Sequence, residues 1–90
     1  MLNPAPPRFT VEIDLRGETL IYREKGRKAT VICTFGGDPC LVPRTLSGWW
    51  HDADRREEPM SHEESALLIA RIADHCRNHL GMSKLTIEGE

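Results

Sequence analysis

From Phe9 onward the chain alternates apolar and polar positions, with Phe9, Val11, Ile13 and Leu15 set against Thr10, Glu12, Asp14 and Arg16. A strict period of two predicts a half-buried strand. Arg16-Gly17-Glu18 turns the chain, and two further strand-like runs follow over Thr19 to Glu24 and Lys28 to Phe35. Lys25-Gly26-Arg27 joins them, with the glycine supplying the positive φ that a tight hairpin needs. Beyond Gly36-Gly37-Asp38-Pro39 lies a fourth, broken run from Cys40 to Trp50, and Pro43 within it argues for an edge strand or a bulge. His51 to Pro59 is polar, charged and aperiodic, which predicts a surface loop.

The period then changes. Ser61-His62-Glu63-Glu64 has the S-x-x-E form of a capping box, in which the serine hydroxyl and the Glu64 carboxylate both serve orphan amides at a helix start. Leu68, Ile69, Ile72, Ala73, Cys76 and Leu80 follow on one stripe of a 3.6-residue period. Gly81 ends a helix of about 19 residues as its C′ residue, and Lys84 to Glu88 reads as a closing strand. The order β-β-β-β-α-β gives a two-layer α+β fold: an antiparallel sheet of four to five strands with one long helix packed on one face. Pro4, Pro6 and Pro7 mark a flexible arm over residues 1–8, and residues 9–90 form the single domain.

One helix covers one sheet face. If Phe9, Val11, Ile13, Tyr22, Val31, Cys33 and Phe35 point to the helix, then Thr10, Glu12, Ile21, Arg23, Thr30, Ile32 and Thr34 point away, leaving Ile21 and Ile32 on an uncovered face. Trp49 and Trp50 are adjacent, so in extended backbone they leave opposite sides and cannot both fill a one-sided core. One is then at least partly exposed, as an interface anchor would be, unless one packs on the helix and the other lies flat under the loop.

Ninety residues with 39% apolar and 29% charged side chains describe one ordinary globular domain, and a net charge of −2 excludes a polybasic nucleic-acid binder. Residues 1–47 carry seven basic and five acidic side chains and residues 48–90 five and nine, so the C-terminal half is acidic. No run approaches the roughly 20 apolar residues of a membrane span. Without a visible secretory signal the expected location is cytoplasmic, with Cys33, Cys40 and Cys76 reduced and packed as small hydrophobes.

Candidate chemistry is sparse. Cys33, Cys40 or Ser47 as nucleophile, with His51 as base and Asp52 or Asp54 to orient it, lacks a nucleophile-elbow or helix-start context. Glu57/Glu58 and Glu63/Glu64 are accounted for by a loop and by helix capping and dipole compensation. His75 and His79 have the i, i+4 spacing of a metal pair but no nameable third ligand, so a solvated helix flank is expected and no metal. Arg23, Lys25, Arg27 and Lys28 form a charged hairpin tip that discourages edge pairing. Neither an enzyme nor a nucleic-acid or membrane partner is expected, and no cofactor.

The segments LRGETLIYREKGRKATV and LSGWWHDADRREEPMSHEE, the Ile/Ala/Arg helix and the closing LTIEG together resemble the immunity-protein domains of bacterial polymorphic toxin systems, specifically the immunity protein 74 type. The likeness spans about residues 12–89. Trp50 matches the family's tryptophan before the loop, and Pro59 its pre-helix proline; Trp49 and the Arg/Glu-rich loop are departures. The resemblance implies a non-enzymatic inhibitor that binds a cognate toxin domain. On that reading Asp52, Asp54, Glu57 and Glu58 speed encounter with a basic toxin domain, and Trp49 or Trp50 anchors the complex. The alternative is a general interaction domain that forms a homodimer through Ile21 and Ile32.

Overall fold

In the computed structural model, which describes residues 8–89, the chain runs β1 (Thr10–Asp14), β2 (Thr19–Glu24), β3 (Arg27–Thr34), β4 (Cys40–Val42), a 3-10 turn (Pro43–Thr45), β5 (Gly48–His51), β6 (Arg56–Pro59), α1 (His62–His79) and β7 (Thr86–Ile87). Apart from Arg8, the proline-rich arm expected over residues 1–8 lies outside the described residues. β1, β2 and β3 form the expected antiparallel meander. Lys25 (φ +47°) and Gly26 (φ +75°) make the two-residue turn of the second hairpin, with the positive φ values whose twist suits a tight connection.

β3 is the centre of a fork. Its Ile32–Thr34 half pairs with β4, while Arg27 and Lys28 pair with β5. Pro43 has no N–H for a ladder, so the chain leaves the sheet there through the 3-10 turn. The Thr45 hydroxyl takes over, accepting from the Ile32 amide at 2.9 Å and donating to the Val42 carbonyl at 2.7 Å. One branch continues β4–β7 and the other β5–β6. The run Cys40 to Trp50 is therefore two strands rather than one.

The sheet thus has seven strands among the described residues, more than the four or five expected, and it is mixed: β7 lies parallel to β4. Arg56–Pro59, expected as loop, is a strand paired along β5. Its charged composition hid it, because it pairs at a solvated edge rather than through an apolar stripe. β7 is also shorter than the expected Lys84–Glu88 run.

The two-layer α+β architecture is the one the hydrophobic pattern predicts. α1 lays Leu68, Ile69, Ile72, Ala73 and Cys76 against Leu20, Tyr22, Ala29, Val31, Cys33, Leu41, Leu46, Trp49 and Leu85. Ile72 has no exposed surface, and burying such a side chain contributes roughly 1.5–3 kcal/mol. Ser61 caps the helix, its Oγ accepting from the Glu64 amide at 3.1 Å, and Gly81 stands just beyond the C-cap Leu80 at φ +72°. Ile13 departs from its expected inward role. It shares a face with Leu20 by register but sits toward the end of edge strand β1 and keeps 38% of its surface exposed.

Candidate functional site

The β5–β6 hairpin carries most of the sequence-predicted residues and separates them onto two faces. Cross-strand pairs share a face, so the register Trp49↔Glu58 and Trp50↔Glu57 puts the first pair toward the helix and the second away from it. Trp49 is buried at 2% exposure, whereas Trp50 is only partly covered. This corrects the placement of Trp49 among the partner-contacting residues: its indole fills the core and cannot reach a partner.

On the outer face Trp50 stands between Lys28 of β3 and Glu57 of β6. Beside it is a depression of about 470 Å³ walled by Lys28, Thr30, Ser47, Trp50 and Pro59. Gly48 lies in the same depression, and a Cβ there would come within 2.6 Å of the Glu58 carbonyl oxygen, so the close approach of β5 and β6 demands glycine. Farther along this face lie Ile32, 41% exposed, and Ile21, partly covered, with the Arg23–Glu12 ion pair (3.1 Å) beside them. No helix of the described residues crosses this face.

The inner end of the hairpin is a polar network that the sequence did not announce. Glu24, alternating with Leu20 and Tyr22, points under the helix, where it accepts from Tyr22 Oη at 2.8 Å and meets Arg27 at 3.4 Å and Arg71 at 3.6 Å. Arg71 donates to Tyr22 Oη at 2.9 Å. The Arg27 guanidinium lies 3.8 Å from the Trp49 ring centroid, a cation–π contact. Arg27 is therefore an interior group and not part of the exposed hairpin tip. Trp49 Nε1 donates to Glu64 at 2.9 Å, which takes that carboxylate away from the reciprocal half of the expected capping box. Burial raises the Tyr22 phenol above its ordinary range.

The four loop carboxylates are not equivalent. Asp52 and Glu57 are exposed, Asp54 pairs with Arg56 at 3.1 Å, and Glu58 turns back to His51 at 2.8 Å and Arg27 at 3.7 Å. The His51 hydrogen bond holds the Glu58 carboxyl below its usual range. His51, weighed as a base, is thus committed to a carboxylate.

Two of the three thiols are unsuited to attack. Cys33 and Cys76 are fully buried, and desolvation raises both, Cys76 to about 11. Cys40 pairs opposite Thr34, one position from Cys33, so those two side chains leave opposite faces. A wider groove of about 750 Å³ runs beside α1, with Ala66, Ile69, Ala70 and Ile87 along its floor and Arg44, His62, Asp74, Arg77 and Glu88 among the residues lining it. No described helix is long and apolar enough to cross a membrane. No family model, curated protein or solved structure matches this chain.

Proposed function

We propose that this chain is a non-enzymatic immunity-type protein that binds a toxin domain in the cytoplasm and neutralises it. The observation that carries the reading is the one-sided cover of the sheet, which leaves Trp50 presented between Lys28 and Glu57 on a face that also bears Ile21 and Ile32. A large, rigid indole beside a depression is the kind of group that anchors an interface. Asp52 and Glu57, exposed and outside the ion pairs described above, are left for electrostatic encounter. Trp49, Asp54 and Glu58 then act by holding the hairpin in shape.

Growth rescue tests the reading. The C-terminal domain encoded by the neighbouring reading frame is expressed in a bacterial host with this protein or with its Trp50→Ala variant. Rescue by the wild type, weakened in the variant, is expected. Toxicity that the wild type does not relieve, or a harmless neighbour, overturns the proposal.

A second reading is favoured by the order of the row Lys28, Trp50, Glu57. A two-fold axis lying between two copies and along the strands would stack indole on indole and set each ammonium against a carboxylate, the self-complementarity of an isologous contact. Sedimentation decides it. A wild type that stays monomeric at high concentration removes the homodimer.

A further inference from the structure

We propose that His75 and His79 form a two-imidazole clamp for a borderline divalent ion, zinc, nickel or copper, on the flank of α1. The remaining coordination positions are open to water or to a donor brought by a partner. The two residues are four apart on one helix, so their side chains rise from the same face one turn apart. Their ring centroids are 5.1 Å apart. Two imidazoles bound to one tetrahedral ion, each with an N–metal bond of about 2.0–2.1 Å, place their centroids about 5.2 Å apart. The ring separation matches what a shared ion requires, and rotation of the two side chains can turn a nitrogen of each toward it.

The surroundings favour the ion over a solvated pair. His75 packs edge-on against Phe9 at 5.2 Å, and Phe9 in turn stacks on the buried Tyr22 at 5.2 Å. One ring of the clamp is thereby held before the ion arrives, which lowers the entropy lost on binding. The nearest cation on the same helix face, Arg71, is turned to Tyr22 and Glu24, so its charge is already matched. Asp74 accepts from Asn78 at 2.9 Å. Among the described residues no third His, Cys, Asp or Glu completes the set, so two protein ligands hold the ion and the outer positions stay exchangeable. Imidazole nitrogen suits these three metals better than magnesium or calcium, which take oxygen.

Calorimetric titration of the full chain with zinc chloride and with nickel chloride at pH 7.5 is the test. One site is expected, weakened about tenfold or more by His79→Ala, which alters an exposed position, and equally by His75→Phe, which keeps the packing on Phe9 but removes both nitrogens. In proton NMR the His75 and His79 ring signals should shift together while those of His51 and His62 stay. No heat with either ion, or binding unchanged in His79→Ala, overturns the proposal. Magnesium chloride producing the same heat would overturn it as well.

Discussion

Glu24 is the side chain on which the interior of the hairpin turns, and its replacement by glutamine isolates what its charge contributes. Glutamine keeps the volume and an oxygen able to accept from Tyr22 Oη, but it withdraws the negative charge that Arg27 and Arg71 share. Removing one member of a fully buried ion pair costs about 3–5 kcal/mol. Here the Arg27 and Arg71 side chains are 25% and 21% exposed, and Arg27 keeps Glu58 and the Trp49 ring. The expected cost of Glu24→Gln is therefore about 2–3 kcal/mol. For a domain of this size that lowers Tm by roughly 10–20 °C. Urea unfolding followed by tryptophan fluorescence reads the cost directly, because Trp49 touches the network. Glu24→Met combined with Arg71→Met should destabilise by less than the two single changes together, since the double change removes both members of the Glu24–Arg71 pair and leaves neither without the other. A Glu24→Gln protein within about 0.5 kcal/mol of wild type would refute the reasoning, that being the range of a surface substitution.

Glu58→Gln tests the His51 contact through pH. Because the folded carboxyl lies below its ordinary value, its stabilisation is complete above the unfolded pKa of about 4.3 and is lost as pH falls through the lower folded pKa. The variant should lose stability less steeply than wild type on acidification below that point, read as urea midpoints, and identical slopes would remove the contact from the stability balance. Thiol titration of the native protein at pH 8 should show one fast group, Cys40, with Cys33 and Cys76 reacting only on unfolding; three fast thiols would show that the core does not enclose them. Trp49→Ala should cost about 3–5 kcal/mol and Trp50→Ala less than about 1 kcal/mol in thermal melts. Equal losses would place both indoles in the core.

The local periods carried most of the fold. Alternation along β2 and β3, the turn at Lys25-Gly26 and the apolar stripe of α1 from Leu68 to Cys76 each depend on a few neighbouring residues, and each is found where the pattern puts it. The opposed directions of Trp49 and Trp50 also followed from adjacency alone. What stayed hidden depends on pairing at a distance. Arg56–Pro59 forms a strand because β5 lies beside it, and no apolar residue marks that. Arg27 looks like part of a charged hairpin tip and Glu24 like the end of a strand beside it, and only their parity with Leu20 and Tyr22, or with Ala29 and Val31, signals that they turn inward. Glu64 has the position of a capping residue, and the competing donor that claims it is 15 residues away in sequence.

The fork at β3 also sets an order of assembly. The β1–β2–β3 and β5–β6 pairings join neighbours through short turns, whereas the parallel contact of Cys40 with Thr86 closes a loop of about 45 residues that contains the whole helix. Such non-local closure comes late in folding and is the first to come undone. In hydrogen exchange the Thr86 and Glu88 amides, bonded to Pro39 and Leu41, belong to this last-formed seam, while the β2–β3 amides exchange only with the whole domain. Because the seam lies on the β4 branch, its opening leaves β3, β5 and β6 paired and the face around Trp50 in place.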